Sequence, residues 1–174
     1  MTINIRPESE SDYAAIYQLT EEAFKGKPYA GGDEQDLIDA LRAIRALSVS
    51  LVATDDSVVV GQITFSPATI TSRLGTWFAL GPVSVSPERQ GEGIGGELIE
   101  AGLKRIKAMG AWGCILTGDP RYYSRHGFEM AQQHCPVNEP SEYFMLRLLG
   151  NKQPQGIFEF HEAFYPSRSA AEPG

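Results

Sequence analysis

Only two cysteines, Cys114 and Cys135, occur in the 174 residues, and neither belongs to a Cys-x-x-Cys pair. That scarcity speaks against a zinc ribbon or a thiol redox motif, and two reduced thiols are the plainer expectation. No apolar run approaches the roughly 20 residues of a membrane span. The start, Met1-Thr2-Ile3-Asn4-Ile5-Arg6, lacks the basic-then-apolar layout of a signal peptide. Positive charge is also in deficit, with 15 Lys+Arg against 22 Asp+Glu and a formal net charge of −7. An acidic surface repels phosphate backbones, which makes nucleic acid a poor partner. The 18 glycines and 11 prolines show no period, so a fibrous repeat is excluded. What remains is a chain with 42% hydrophobic residues, long enough to bury one apolar core. The expectation is a soluble, cytoplasmic domain over residues 1–165, followed by a flexible Ser/Ala/Pro/Gly tail over 166–174.

Residues 2–6 alternate, with Ile3 and Ile5 on one face of a half-buried strand. Ser9 and Asp12 form a capping box ahead of Tyr13, Ile16, Leu19 and Ala23, which recur at helical spacing. Residues 28–33 hold Gly31-Gly32 and read as a loop. Asp33-Glu34 then open a second helix with a stripe of Leu37, Leu41, Ile44 and Leu47. Segments 49–54 and 58–66 read as strands joined by the turn Asp55-Asp56-Ser57, the second continuing toward residue 73. A strand over 76–85 is interrupted at Gly81-Pro82, where a proline without an N–H predicts a bulge or lost pairing. A helix over 93–109 places Ile94, Leu98, Gly102 and Ile106 on one side, and a strand follows over 112–117. Asp119-Pro120 reads as the cap and first residue of a short helix ending at Gly127. Late strands are expected over 142–149 and 156–160, and no repeat or linker divides the chain. The mixture predicts an α/β or α+β domain with a mixed sheet.

The most informative stretch is Val83-Ser84-Val85-Ser86-Pro87-Glu88-Arg89-Gln90-Gly91-Glu92-Gly93-Ile94-Gly95-Gly96. A strand runs into a glycine-rich turn and then a helix, whose first turn has N–H groups without intrahelical partners. Glycines let a ligand approach that backbone, so the segment predicts an anion site suited to a diphosphate. Tight packing of the helix start is the competing account of the same glycines. Gly96 is followed by Glu97-Leu98 and not by Lys-Ser/Thr, which excludes a P-loop. Gly91-x-Gly93-x-x-Gly96 matches the dinucleotide fingerprint, with Asp119 about where a ribose-binding acid belongs. Against it, five residues separate the strand from the first glycine, and too little chain follows Asp119 for a second mononucleotide half.

Gln90-x-x-Gly93-x-Gly95, placed after that strand, resembles motif A of the GNAT family of N-acetyltransferases. A second match is Asp119-Pro120-Arg121-Tyr122-Tyr123-Ser124-Arg125-His126-Gly127-Phe128, similar to the family's tyrosine-then-Gly-Phe motif. With Gly118 ahead of it, this version resembles the YhbS-like bacterial subgroup. The resemblance implies a single-domain GNAT fold, α/β with a mixed, splayed central sheet flanked by helices. It also implies acetyl-CoA as cosubstrate and an amine as acceptor, small molecule or peptide; the charge and the lack of a long apolar run leave no nucleic acid and no membrane as the expected partners. Homodimers are common in the family, and nothing in the sequence fixes a dimer face.

By the same analogy, Val83 and Val85 would present main-chain groups to pantetheine. The amides of Gln90, Gly91, Glu92, Gly93, Ile94, Gly95 and Gly96 would hold the pyrophosphate. Arg121 or Arg125 would meet the 3′-phosphate, with two solvated side chains as the competing reading. Tyr123, five residues before Phe128, would be the acid that protonates the departing thiolate, with Tyr122 as a packing neighbour. Family members often carry a glutamate on the strand leading into motif A, but residues 76–85 contain no acid. The base is therefore open; Glu34 is the candidate, set against a plain helix-start carboxylate, and His126 is a further one, set against a helix-end residue near the surface. Cys114 reads as a buried inert thiol, and no residues cluster as metal ligands. The missing glutamate also motivates an alternative, a non-catalytic acyl-CoA-binding sensor or interaction module.

Overall fold

The structure, a computed structural model, describes residues 2–27 and 30–165. The first strand, β1 (Ile3–Pro7), leads through a 3-10 turn at Glu10–Asp12 into α1 (Tyr13–Phe24) and α2 (Glu34–Ala43). Then come β2 (Val49–Asp55), β3 (Val58–Ile70), β4 (Trp77–Val85), α3 (Ile94–Ala108) and β5 (Gly113–Thr117). The chain closes with α4 (Pro120–Tyr123), β6 (Glu129–Met130), β7 (Phe144–Leu148) and β8 (Phe158–Glu159). The strand order is β1-β2-β3-β4-β5-β7-β6, with β8 paired to the far end of β3. Among the described residues all pairings are antiparallel except β4–β5, and α3 is the crossover that a parallel pair needs. The mixed sheet flanked by helices is the architecture expected from the sequence.

Side chains on each strand alternate between two cores. On one face α3 buries Ile94, Leu98, Ile99, Leu103 and Ile106 against Leu51, Ile63, Phe65 and Leu80. Gly102 lies under Phe65, because a Cβ there would stand 2.1 Å from the ring. The other face is covered by α1 and α2 around Ile16, Ile38 and Val52. Farther along that face, Trp77, Ile115, Phe144, Phe158 and Phe160 form a second cluster.

The start of α1 is tied by Asp12, whose carboxylate accepts from the Ser9 N–H at 2.7 Å and from Arg6 at 2.7 and 3.0 Å. Those hydrogen bonds from Arg6, first among the causes, hold the Asp12 carboxyl at about 2, below its ordinary value. Several expectations need correction. In α2 the buried residues are Gln35, Ile38 and Leu41, while Leu37 is half-buried and Ile44 is exposed. The helix ends at Ala43 and Arg45 takes a positive φ of 60°, so the stripe loses its period before Ile44. Tyr13 is at the surface beneath Arg42, 3.9 Å from its ring centroid. The last strand pairs only over Phe158–Glu159. The loop residue Pro28 and the tail over 166–174 lie outside the described residues.

Candidate functional site

A gap opens between the two parallel strands. Pairing of β4 with β5 covers Trp77↔Gly113, Phe78↔Cys114 and Ala79↔Ile115, and stops there. On its other edge β4 stays paired to β3 as far as Val85. The register jumps from Ile63↔Val83 to Phe65↔Leu80, so Gly81 and Pro82 together stand against Thr64. This is the bulge expected from the Gly81-Pro82 break; the bond between them is cis, and Gly81 has a φ of 131° open to glycine. Ser86 donates its N–H to the Val60 carbonyl at 2.9 Å. Main-chain groups alternate sides along a strand, so Ser84 and Ser86 address β3. Val83 and Val85 therefore turn their N–H and C=O groups toward the gap. Gln90 Nε2 donates to the Val85 carbonyl at 3.1 Å, at the gap's outer end.

Beyond β4 a 3-10 turn (Pro87–Arg89) leads to Gly91 and Gly93, with φ of 83° and 85°. A side chain would find space at both, so their conformation is what calls for glycine. Glu97 is bonded through its N–H to the Gly93 carbonyl at 3.1 Å, which leaves the N–H groups of Ile94, Gly95 and Gly96 ahead of the helical ladder. The Ile94 side chain is buried in the core, so only its backbone faces the turn. Arg89 braces the turn, reaching Glu92 at 3.1 Å and Asp55 at 2.9 Å. The Glu92 carboxylate thus shares the Arg89 charge with Asp55.

Gly95 and Gly96 have a different explanation. A Cβ at Gly95 would lie 2.7 Å from the Tyr122 hydroxyl, and one at Gly96 would lie 2.9 Å from His126 Cε1. The segment carrying α4 rests directly on the first turn of α3. Packing accounts for half of the glycine motif and backbone conformation for the rest. His126, expected at the surface, is half-buried with its ring 5.0 Å from that of Tyr122. Burial holds its pKa below the ordinary histidine value, and burial likewise raises that of Tyr122.

Tyr123 is half-buried at the β5 side of the gap. Its ring stands edge-on to Phe128 at 5.9 Å and to Tyr122 at 4.9 Å, and it fills the space beside Gly118. Asp119 caps α4 by accepting the Arg121 N–H at 2.9 Å. Arg125 lies 5.3 Å from the Tyr122 ring centroid, and Arg121 reaches into solvent beside Asp119. Glu34 is distant from these groups in role: its carboxylate accepts the N–H groups of Gly31 at 2.9 Å and Gly32 at 3.1 Å. It clamps the loop ahead of α2.

One further acid group stands at the end of β5. Thr117, the last residue of β5, donates to Glu139 Oε1 at 2.9 Å, and the Tyr165 hydroxyl donates to Glu139 Oε2. Burial and this contact raise the Tyr165 pKa, keeping the phenol neutral. Cys114 and Leu116 point to the α3 core and Ile115 to the opposite cluster. Thr117 and Glu139 therefore stand on the face covered by α1, α2 and the C-terminal segment. No local pattern could show this, since Glu139 is 22 residues from Thr117 and 26 from Tyr165. Cys114 is fully buried, with its thiol pKa pushed up by that burial, and Cys135 is also a free buried thiol. Among the described residues, no group of three His, Cys, Asp or Glu side chains could hold a metal ion. Nor is any helix among them long and apolar enough to cross a membrane.

The dinucleotide alternative does not fit this architecture. The sheet has one parallel pair, and Asp119 is spent as a helix cap. The sequence profile of the acetyltransferase (GNAT) domain matches residues 4–131. The chain belongs to the GNAT acetyltransferase family. Within that family it is YhbS-like: it is 30% identical over 167 residues to "Uncharacterized N-acetyltransferase YhbS" of Escherichia coli K12, covering 92% of this chain and 97% of that protein. The solved structure of Escherichia coli YhbS in complex with CoA has a TM-score of 0.85 at 30% identity, over 93% of this chain and 91% of that one. A GNAT family acetyltransferase from Brucella melitensis, solved with acetyl-CoA, has a TM-score of 0.82 at 45% identity. There the match covers 94% of this chain and 98% of the other.

Proposed function

We propose that this GNAT protein transfers the acetyl group of acetyl-CoA to an amine of a small molecule or peptide, by direct attack with both substrates bound. The observation that carries the reading is the parting of β4 from β5 after Ala79↔Ile115, with the main-chain groups of Val83 and Val85 facing the gap. The relatives solved with CoA and with acetyl-CoA support the same ligand. Acetyl-CoA, when bound, supplies an activated thioester that an amine can attack, releasing the CoA thiol.

The residues present fit that ligand. The edge of β4 offers hydrogen-bonding groups to an amide-bearing arm, and the amides of Gln90 to Gly96 offer donors to a diphosphate. Arg125, exposed beside Tyr122, is available to a phosphate. Tyr123, at the β5 side of the gap, holds the proton that neutralises the departing thiolate. The acceptor reaches the gap from the face of α1, α2 and the C-terminal segment. A lysine-like amine has a pKa near 10.4, so making it neutral at pH 7 costs roughly 4–5 kcal/mol. Glu34 and Glu139 are among the carboxylates on that face. Glu139 suits a cationic acceptor better, because Thr117 and Tyr165 hold its carboxylate at the end of β5, whereas Glu34 closes the loop ahead of α2 through the Gly31 and Gly32 amides.

A second reading, an acyl-CoA-binding module without turnover, rests on the absence of an acid from residues 76–85. A CoA-release assay over a panel of amines and peptides separates the two. Turnover that falls sharply in Tyr123→Phe supports the enzyme. Tight acetyl-CoA binding without release across the panel supports the module. A protein whose melting temperature is indifferent to acetyl-CoA contradicts both.

A further inference from the structure

Beneath the gap lies a group of buried polar side chains to which no role has yet been given. Thr20, Gln62, Thr64 and Ser84 meet between α1 and the β3–β4 pair, with relative exposures of 0%, 0%, 0% and 3%. Thr64 Oγ1 donates to the Pro82 carbonyl at 3.1 Å, and Gln62 Nε2 donates to the same carbonyl at 3.2 Å. Gln62 Nε2 also lies 2.6 Å from Ser84 Oγ, which in turn donates to Thr20 Oγ1 at 3.2 Å.

The reason for this convergence is the bulge. Thr64 alone opposes Gly81 and Pro82, and Pro82 has no N–H to give the ladder. Two side-chain donors from β3 take the place of the regular ladder there. The arrangement fixes the Gln62 amide, because only its NH₂ end can serve a carbonyl. Its Oε1 is left buried with no hydrogen-bond partner among the described residues. A buried lone acceptor works against stability, but apolar residues at 62 and 64 would leave the Pro82 carbonyl without these two donors. The two donors fix where the Pro82 carbonyl points.

We propose that Thr64 and Gln62 are positioning residues for the acyl-CoA arm, acting through the Pro82–Val83 peptide. In a planar trans peptide the C=O and N–H point in opposite directions. Holding the Pro82 carbonyl against β3 therefore holds the Val83 N–H toward the gap. The Ser84–Thr20 link ties the same segment to α1, on the face from which the acceptor arrives. The inference rests on the acetyl-CoA reading of the gap.

The test is calorimetric titration of the full chain with acetyl-CoA and with 3′-phospho-ADP, which carries the diphosphate and nucleotide without pantetheine. Thr64→Val keeps the side-chain shape and removes the donor. It should weaken acetyl-CoA binding about tenfold and 3′-phospho-ADP binding less than about twofold. Thr64→Ser should restore acetyl-CoA affinity, which a merely space-filling role would not do. Gln62→Met should repeat the selective loss and carries the test should Thr64→Val fold poorly. Unchanged acetyl-CoA affinity in the folded variants, equal loss of both ligands, or failure of serine to rescue overturns the proposal. Folded wild-type protein that does not bind acetyl-CoA refutes the ligand reading itself.

Discussion

Replacing Gly95 by alanine separates the two explanations of the glycine-rich turn. Within a helix, alanine is favoured over glycine by about 1 kcal/mol, so propensity alone makes Gly95→Ala stabilising. The added Cβ, however, would stand 2.7 Å from the Tyr122 hydroxyl and 3.7 Å from Val85 Cγ2. An ordinary carbon–oxygen contact is about 3.3–3.6 Å, so the ring must retreat by several tenths of an ångström. Tyr122 is half-buried and stands edge-on to Tyr123 at 4.9 Å, which limits that retreat. Overpacking of this kind costs roughly 1–3 kcal/mol, which exceeds the propensity gain. The expected net change is a destabilisation of about 1 kcal/mol. Tyr122→Phe removes the colliding oxygen, so the double variant should recover the loss. Gly93→Ala behaves differently: φ is 85° and nothing lies within 4 Å of the added carbon. It should cost about 1–2 kcal/mol through the left-handed backbone, with no relief from Tyr122→Phe. Guanidinium unfolding of all five variants, analysed as two double-mutant cycles, reads these differences. A Gly95→Ala protein more stable than wild type, or a penalty that survives Tyr122→Phe, refutes the contact between α4 and the first turn of α3.

Three further outcomes follow from the same geometry. Asp12, held at about 2 by Arg6, contributes stability that is complete above about pH 4 and is lost as the pH falls through about 2. Asp12→Asn should therefore cost about 2 kcal/mol in unfolding experiments at pH 7, with the difference from wild type closing near pH 2; a constant difference across that range contradicts the linkage. Tyr123→Phe should lower kcat for CoA release by about tenfold or more while leaving acetyl-CoA affinity within about twofold, and equal loss of both in titration and steady-state assays would remove its role as acid. Glu139→Gln should raise KM for a cationic acceptor and Glu34→Gln should chiefly lower the melting temperature; the reverse pattern assigns the acceptor site to Glu34.

Much of the fold could be read from local chemistry. Pro82 announces the bulge because it has no N–H, and Asp119-Pro120 announces the start of α4 because a carboxylate caps the next free amide. The long helix was evident from Ile94, Leu98, Gly102 and Ile106, all buried in α3. Local patterns failed where tertiary contacts decide. Gln62, Thr64 and Ser84 have the polarity of a solvent-facing row, yet α1 roofs them and their partners are one another. His126 follows the short helix as a surface residue would, but it lies against Gly96, which is distant in sequence. Glu139 joins Thr117 to Tyr165 across three separate segments, so no spacing rule could mark it. Sequence spacing presents the glycine motif as one run, whereas positive φ explains Gly91 and Gly93 and close packing explains Gly95 and Gly96.

A structure of the protein with acetyl-CoA shows whether the gap between β4 and β5 receives the acyl-CoA arm. Pantetheine is expected between the two strands, hydrogen-bonded to the main chain of Val83 and Val85, with the diphosphate on the amides between Gln90 and Gly96. Acetyl-CoA bound elsewhere, with the main-chain groups of Val83 and Val85 left without ligand contacts, would contradict that placement.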